Sequence, residues 1–407
     1  MRILILILCG LTFLALAMPV AAQGKASSDL LKRVEALERT IKKMKQRKKA
    51  RLGGLNQVPS ADSGTATGAF RGFNPAISVN GLFLGTYRSE ENDNRNAPSA
   101  TGLKVQEMEL VFAAMVDKYL WANLVLSLPE VDSIEVEESY VDVVVTNKLS
   151  LRAGKFFQFF GRHNRLHTHQ FPFIDAPLVN EEIFGKNGLT EPALNETGVS
   201  FNVLAPVPWF WEWNLVVLQG NNEALLNAPL NDDLAYLVNT RNLWDWSENT
   251  TVELGSSFLY GKNNIGGPNS SSRAAGGSLQ VRWTPATRLR YQTLIWQTEI
   301  IHSWRETGVN DITGRNNSTE KKGGIYSFLQ YKFDQNWWIQ GRYDFFGISK
   351  LKNEKNKNRY TALLAYAPSE FSALRLQYSY QDETVRAEHK VMLQLNFSMG
   401  SHAAHQY

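Results

Sequence analysis

The sequence predicts an all-β fold, a transmembrane antiparallel β-barrel of about 16 strands, preceded by a short N-terminal helix. Three observations predict it: apolar and polar residues alternate in short segments, tight turns alternate with long polar loops, and tryptophans lie beside the tight turns. The chain has 407 residues and a formal net charge of +4. That small value conceals a basic segment at 25–51, with 11 basic and 3 acidic residues, ahead of a mildly acidic body.

Residues 1–22 have the pattern of a secretory signal peptide. Arg2 precedes an apolar run at 3–18, and small residues at 20–22 offer a cleavage site. The single cysteine, Cys9, lies in this run, so the exported chain is expected to contain no thiol. This excludes a disulfide scaffold, a cysteine-ligated zinc site and a cysteine nucleophile. The expected location is the outer membrane of a Gram-negative bacterium.

Residues 28–51 are predicted to form a basic helix, and residues 52–72 a flexible linker. Apolar residues recur at the average spacing of a coiled coil, at Leu30, Val34, Leu37, Ile41 and Met44. The alternative is an amphipathic helix lying on a surface. The basic end of the helix suits anionic lipid or a cell-wall polymer, with a merely solvated end as the other interpretation. Nucleic acid is excluded as a partner because the protein is exported.

The body at 73–407 is predicted to be the barrel. Its sixteen strands are expected to begin near residues 76, 104, 119, 133, 148, 196, 209, 234, 249, 274, 287, 323, 336, 358, 371 and 386. Each segment is about ten residues long, which suits a tilted strand crossing a membrane. An even number of strands places both chain ends, and therefore the basic helix, in the periplasm.

Tryptophans cluster near the predicted periplasmic turns. Nine of the eleven lie within a few residues of such a turn: Trp121, Trp209, Trp211, Trp213, Trp244, Trp246, Trp283, Trp337 and Trp338. An aromatic girdle at one membrane face requires this placement, whereas a soluble core would distribute tryptophans along the strands. The tryptophans therefore favour a membrane barrel.

The loop at 157–195 is predicted to fold inward and narrow the channel, because sixteen strands enclose an interior too wide for side chains to fill. The candidate constriction residues on this loop are mixed in sign: Arg162, His163, Arg165, His167, His169, Asp175, Glu181 and Glu182. Solutes that pass it are expected to be small and polar.

Inward-facing charges on the strands are predicted to separate by sign. Early strands present acids, namely Glu107, Glu109 and either Glu135 with Glu137 or Glu138 with Asp142. The pattern leaves the second pair open. Late strands present bases, namely Arg282, Arg288, Arg290, Lys332, Arg342 and Arg375. On opposite walls these charges create a transverse field that orients polar solutes; the alternative is that they only solvate a watery lumen.

Three loop histidines support a different hypothesis. The loop offers three imidazole ligands that could bind zinc or another borderline metal, at His163, His167 and His169. The alternative is that these histidines only form ordinary hydrogen bonds within the loop. No other cofactor is predicted. An enzyme is not expected, because the sequence has no GxSxG elbow, no phosphate-binding glycine loop and no nucleophile–base pair.

Three stretches resemble a group of porin-like bacterial outer-membrane proteins. They are FNPAIS at 73–78, LRAGKF at 151–156 followed by GRHNRLHTH at 161–169, and FSMGSHAAHQY at 397–407. The N-terminal segments are similar to those of coiled-coil-bearing trimeric porins, which are distant relatives of phosphate-selective porins. The resemblance implies a homotrimer in outer-membrane lipid.

The expected function is passive diffusion of small polar or charged solutes through a porin. Two alternatives stay open. Some proteins similar to this chain carry the label of a zinc-regulated TonB-dependent receptor, which implies metal-linked uptake, although an obvious plug is lacking here. The other alternative is an envelope tether, in which the barrel anchors the basic helix.

Overall fold

The computed structural model describes residues 75–89, 100–185, 194–222, 224–228, 230–265, 267, 269–285, 291–308, 318–349, 356–382 and 387–400. The chain divides into Met1–Gly68 and Ala69–Tyr407, and all described residues belong to the second unit. The predicted signal peptide, basic helix and linker, and the stretch 401–407, lie outside them. No helix in the described ranges is long and apolar enough to span a membrane.

Sixteen antiparallel strands form a closed barrel, in which every strand pairs with its neighbours in sequence and β1 pairs with β16. The strands are β1 Ala76–Arg88, β2 Gly102–Met115, β3 Leu120–Pro129, β4 Glu135–Thr146, β5 Leu149–Phe157, β6 Asn195–Leu204, β7 Phe210–Leu218, β8 Ala235–Ser247, β9 Thr250–Lys262, β10 Ser271–Trp283, β11 Thr293–Glu306, β12 Thr319–Lys332, β13 Trp337–Ser349, β14 Lys357–Ser369, β15 Ser372–Asp382 and β16 Ala387–Gly400. The predicted all-β barrel of sixteen strands is confirmed.

Most strands begin close to the predicted residue, and β11 is the main exception. It begins at Thr293 instead of near residue 287. Trp283, the last residue of β10, pairs with Leu294, and residues 286–290 between them lie outside the described residues.

The barrel is apolar outside and polar inside. In β15, Leu374, Leu376 and Tyr378 are exposed, whereas Arg375 and Gln377 between them are buried. Successive side chains of a strand point to opposite faces, so each strand divides cleanly into two sets. An exposed apolar face is what lipid contact requires, whereas a soluble barrel would bury its apolar set.

Two predicted girdle tryptophans do not lie on the outer surface: Trp338, and Trp121, which shares the inward face of β3 with Ser127 and lies at the exposed end of that strand. Trp338 is buried on the inner face of β13, and the Nζ of Lys332 lies 4.4 Å from its ring centroid. Trp337, one residue earlier, is exposed on the outside. Because neighbouring residues of a strand face opposite ways, this Trp-Trp pair could contribute only one ring to a girdle.

A β-bulge determines which acids of β4 are buried. The register between β3 and β4 shifts between Val125 and Leu126, and this leaves one extra residue on β4. Glu137 and Glu138 are consequently both buried, while Glu135 is exposed. Neither predicted pair of acids is therefore correct as a pair, because each contributes one of the two buried glutamates.

The connection between β5 and β6 folds across the inside of the barrel. Its described part contains two short 3-10 helices, His163–Arg165 and Thr168–Gln170, and the helix α1, Leu178–Phe184. Helix α1 contacts β11, β12 and β13. Its Phe184 belongs to the same buried apolar cluster as Ile301 of the β11 wall. The loop is thus packed against the wall by apolar contacts as well as by the polar contacts described next.

Candidate functional site

Buried ion pairs bind the second half of the loop to β13 and β14. The Nη2 of Arg342 donates to Asp175 Oδ1 at 2.8 Å, and its Nε donates to Asp344 Oδ2 at 2.7 Å. Arg359 donates to the two carboxylate oxygens of Glu181 at 2.7 and 2.8 Å. The side chains of Arg342, Asp175 and Asp344 are almost completely buried. Their mutual pairing is what makes this burial possible, since an unpaired buried charge is strongly unfavourable.

Asp175 lies at the centre of this network. Its Oδ2 is 3.2 Å from the Nζ of Lys390, and its Oδ1 accepts a hydrogen bond from Gln377 Nε2 at 2.9 Å. Burial alone would raise the pKa of Asp175, but the charges of Lys390, Arg342 and Arg359 hold it well below its usual range. Asp175 is therefore a carboxylate throughout the physiological pH range.

The first half of the loop contacts acids on β2 and β4. The Nδ1 of His167 is 2.8 Å from Glu137 Oε1, and its Nε2 is 3.2 Å from Glu138 Oε2. The Nδ1 of His169 is 3.1 Å from Glu109 Oε2. Burial would lower the pKa of His167, but Glu137 and Glu109 outweigh burial and raise it well above its ordinary value.

His163 has a different, mostly apolar environment. Its ring centroid is 4.4 Å from that of Phe171 and 6.4 Å from that of Tyr326. Burial, reinforced by the charge of Arg342, lowers the pKa of His163 to about 3. The imidazole is therefore neutral at any pH at which the barrel is expected to work.

The structure brings one of the three predicted histidine ligands into a group with the spacing of a metal site. Within the described ranges, Glu109, Glu137 and His167 offer ligand atoms that all lie within 4.8 Å of one another. His169 stacks on His167 with ring centroids 5.6 Å apart. His163 is not a member of the group.

The remaining loop residues contact two parts of the wall and the loop itself. Arg162 forms an ion pair with Glu253 of β9. The guanidinium of Arg165 lies 5.0 Å from the ring centroid of Phe159, and burial lowers its pKa to about 10 with the help of nearby arginines. At the rim, Glu182 Oε1 is 2.5 Å from the Nζ of Lys357. The candidate constriction residues therefore do not form one cluster.

Below the loop, toward the short-turn end of the barrel, lies a cavity of about 580 Å³. Loop residues 166–172 form one side of it, and β10 to β15 form the rest. Among the described residues that line it none is acidic, and four carry a positive charge: Arg162, Arg282, Lys332 and Arg375. The predicted lumen residue Arg290 lies outside the described residues.

The pairing of β1 with β16 closes the barrel and brings some of the predicted acidic and basic strands close together. Because β1 pairs with β16, β2 is only three strands from β15 around the barrel. Glu109 and Arg375 therefore lie on the same side, contrary to the prediction of opposite walls. Gln394 joins the two regions: its Nε2 donates to Gln106 of β2 at 2.6 Å, and its Oε1 accepts from Arg375 Nε at 2.7 Å. Arg282 on β10, eight strands from β2, is the basic residue that lies opposite.

Two other acids predicted for the lumen have local partners. Glu107 is buried and accepts a hydrogen bond from the hydroxyl of Ser127. Asp142, which the sequence offered as one option for β4, forms a two-bond ion pair with Arg152 at 2.8 Å for each bond. Both contacts join neighbouring strands of the barrel wall, so neither contact holds the loop in place.

Sequence reasoning missed several residues of the site. Asp344 and Arg359 hold the loop, and Glu299 accepts hydrogen bonds from the Tyr326 hydroxyl at 2.7 Å and the backbone N–H of Arg162. A signal was present for Asp344, which follows Arg342 by two residues and so shares its face. Partners across the barrel had no such local signal.

No family model matches the sequence. An uncharacterized protein of Aquifex aeolicus (strain VF5) is 28% identical over 339 residues, which cover 75% of this chain and 70% of that protein. The anion-selective porin from Comamonas acidovorans matches with a TM-score of 0.53 and 10% identity over 80% of this chain and all of that one. A trimer form of OmpT from Vibrio cholerae also matches with a TM-score of 0.53, at 9% identity, over 80% of this chain and 99% of that one. This chain has the fold of the outer-membrane porins.

Proposed function

We propose that this protein is an outer-membrane porin that admits small polar or charged solutes by passive diffusion and favours anions among them. The observation that carries the charge preference is the cavity of about 580 Å³, whose described lining includes four cationic side chains and no acidic one. The porin fold is compatible with such a preference, since an anion-selective porin has it.

Arg282 and Lys332 are the residues that make the cavity positive. Arg162 has its charge compensated by Glu253, but no carboxylate of the described chain forms an ion pair with Arg282 or Lys332. The amine of Lys332 instead faces the Trp338 ring. Uncompensated positive charge in a narrow water-filled passage with low-dielectric walls raises the local concentration of anions.

Recording from planar bilayers tests both parts of the proposal. The wild-type protein should give stepwise conductance, and its reversal potential in a KCl gradient should lie on the chloride side. We expect Arg282→Gln/Lys332→Gln to lower the chloride-over-potassium permeability ratio by about twofold or more. The control Lys118→Gln/Lys148→Gln removes the same charge from exposed turns at the same end of the barrel.

The outcomes separate the two parts. Purified, folded protein without conductance steps would refute the porin function. Conductance with a reversal potential on the potassium side would refute only the anion preference, and a permeability ratio that the cavity variant leaves unchanged would refute the role of Arg282 and Lys332. An equal drop in the control would assign the effect to surface charge and also refute the role of the cavity.

We infer further that the protein is a homotrimer, with 28–51 as a periplasmic coiled coil, 52–72 as its linker, and 157–195 as the constriction of each pore. The apolar seam of 28–51 supports association, and a trimer form exists for a protein of the same fold. Native mass spectrometry of the extracted protein should give three chains per particle, with a lower fraction after deletion of 28–51. N-terminal sequencing should begin at Gln23 if 1–22 is a signal peptide.

Two rival functions have their own tests. A zinc-linked uptake role predicts that cells lacking the protein accumulate less zinc; equal accumulation would remove it. A tether role assigns cell-wall association to the basic helix, so unchanged association after deletion of 28–51 would remove that role. Both tests are independent of conductance.

A further inference from the structure

Glutamine amides line one side of the cavity. Gln280 of β10 pairs with Gln297 of β11. Gln330 of β12 pairs in the same way with Gln340 of β13, and all four side chains line the cavity. Directly opposed residues have Cβ atoms about 4.5–5.5 Å apart, so the two amides of a pair can reach the same part of a solute. An amide both donates and accepts hydrogen bonds, which suits hydroxyl groups.

The protein itself uses Gln297 fully, but not Gln340. Gln297 Nε2 donates to the Tyr326 hydroxyl at 2.8 Å, and its Oε1 accepts from Arg162 Nε at 3.3 Å. Gln340 is 7% exposed, and its Oε1 has no hydrogen-bond partner among the described residues. A buried carbonyl oxygen without a partner is unfavourable, and native proteins almost always provide one. A hydroxyl group of a bound solute would provide it here.

The apolar rings that line the cavity present little open surface to a solute. Phe171, Phe328 and Trp338 are each exposed by no more than 4%. The Nζ of Lys332 lies 4.4 Å from the ring centroid of Trp338, so an amine already covers this ring. Because hydrophobic stabilisation grows with the apolar area that is buried, an apolar anion would gain little from these rings.

Positive charge lies beside the amides. Arg282 follows Gln280 by two residues on β10, and Lys332 follows Gln330 by two residues on β12. Residues two apart on a strand share a face and are separated by about 7 Å. Arg282 is exposed and Lys332 half-buried, so both cations are open to a solute. The wall therefore offers a partner for an anionic group next to partners for hydroxyl groups.

We propose that the cavity binds hydroxylated organic anions, such as sugar acids, more tightly than apolar anions of equal charge and length. Arg282 and Lys332 bind the anionic group, and Gln330 and Gln340 bind hydroxyl groups of the carbon chain. The proposal rests on the porin function proposed above and adds a substrate class to it. The cavity volume of about 580 Å³ lies within the range of about 300–1,000 Å³ that is typical of small-molecule sites.

Three solutes with six-carbon chains separate the effect of charge from that of hydroxyl groups. Gluconate carries a carboxylate and a hydroxyl group on every other carbon, hexanoate carries the carboxylate alone, and sorbitol carries hydroxyl groups without charge. Each is added to the potassium chloride solution that bathes the full-length protein in a planar bilayer, and the concentration that halves the single-channel current is measured. We expect this concentration to be at least about tenfold lower for gluconate than for either other solute, because gluconate alone uses both the cations and the amides.

Gln330→Met/Gln340→Met removes both amides and keeps two unbranched side chains of similar length. It should raise the half-blocking concentration of gluconate about tenfold, to near that of hexanoate. Block by hexanoate should stay within about twofold of the wild type, because Arg282 and Lys332 are retained. The matched control Gln335→Met removes an exposed amide from the turn between β12 and β13 and should leave all three concentrations unchanged.

Several outcomes would overturn the substrate class. They are no block by gluconate, equal block by gluconate and either other solute, an unchanged value for gluconate in the double variant, or an equal change in Gln335→Met. In a channel whose reversal potential lies on the chloride side, any of these results leaves the proposed porin function intact. A wild-type protein without conductance steps would instead refute the porin function, and the substrate class with it. Heat-dependent migration in gel electrophoresis shows whether each variant is folded, and if the double variant is not, the comparison of the three solutes in the wild type decides.

Discussion

Replacing Arg342 by methionine is expected to release the second half of the loop from the wall while the barrel stays closed. The change removes the hydrogen bonds from Arg342 to Asp175 Oδ1, to the Asp175 carbonyl oxygen and to Asp344 Oδ2. Methionine keeps an unbranched apolar chain in the space between Phe173 and the strand, since the guanidinium lies 4.7 Å from that ring centroid. The effect should therefore come from charge and hydrogen bonding more than from a cavity.

The free-energy cost of Arg342→Met depends on the partners that Asp175 and Asp344 keep in the variant. Asp175 keeps Lys390 at 3.2 Å and Arg359 at 3.5 Å, and Asp344 keeps the backbone N–H of Leu178 at 3.0 Å. Removing one partner of a buried ion pair costs about 3–5 kcal/mol. Because two cations remain beside Asp175, we expect the lower end of this range. About 3 kcal/mol corresponds to a roughly 100-fold larger population of the released loop.

Hydrogen–deuterium exchange measures that population directly. Amides of 158–185 in the folded, detergent-solubilised Arg342→Met variant should exchange roughly 100-fold faster than in the wild type, while strand amides stay protected. The matched control is Arg273→Met, whose side chain is half exposed and lies 3.9 Å from Glu306. Loop exchange within twofold of the wild type would refute the argument that this network holds the loop.

Three further changes test other contacts of the loop. Tyr326→Phe removes the hydroxyl that donates to buried Glu299 at 2.7 Å, and should cost about 1–3 kcal/mol, seen as faster exchange of amides 161–163; unchanged exchange contradicts it. Gly161→Ala should destabilise the loop by about 1–3 kcal/mol, because φ is +64° and a Cβ would overlap the Glu299 carboxylate. In Gly341→Ala, where the nearest atom is 4.0 Å away, melting should stay at the wild-type temperature, and an equal loss in both variants argues against the overlap. The His163 ring should show no titration by NMR between pH 8 and 4, since burial lowers its pKa to about 3. Because the unfolded loop binds this proton near pH 6.5, the loop should lose stability as pH falls below that value, and a folded-state midpoint near 6.5 would refute the assignment.

The strands could be predicted because the membrane imposes one rule on every residue of the outer face. In β15 the alternation of Leu374, Arg375, Leu376 and Gln377 gives both the strand and its inward side. The same rule fails where the chain leaves the sheet. Residues 287–291 alternate in polarity although β11 begins at Thr293, so the sequence places this strand six residues early.

The site was harder to predict because its contacts are not local. The β4 bulge opposite Val125, which buries both Glu137 and Glu138, depends on the register between two strands, and no pattern within β4 specifies that register. The side shared by Glu109 and Arg375 depends on the pairing of β1 with β16, the contact between the two ends of the barrel. The sequence of the loop shows which of its side chains are charged. Which wall residues they contact depends on the closure of the barrel, so the sequence alone could not predict those partners.

The order of charges along the loop gives it a direction. Histidines at 167 and 169 come first and meet carboxylates, and acids at 175 and 181 follow and meet guanidinium groups. A loop laid across the interior in the reverse sense would bring carboxylates against carboxylates and imidazoles against arginines, and like charges at such short range repel strongly. The charges of the loop and of the interior wall are therefore complementary in the observed direction and would oppose each other in the reverse one.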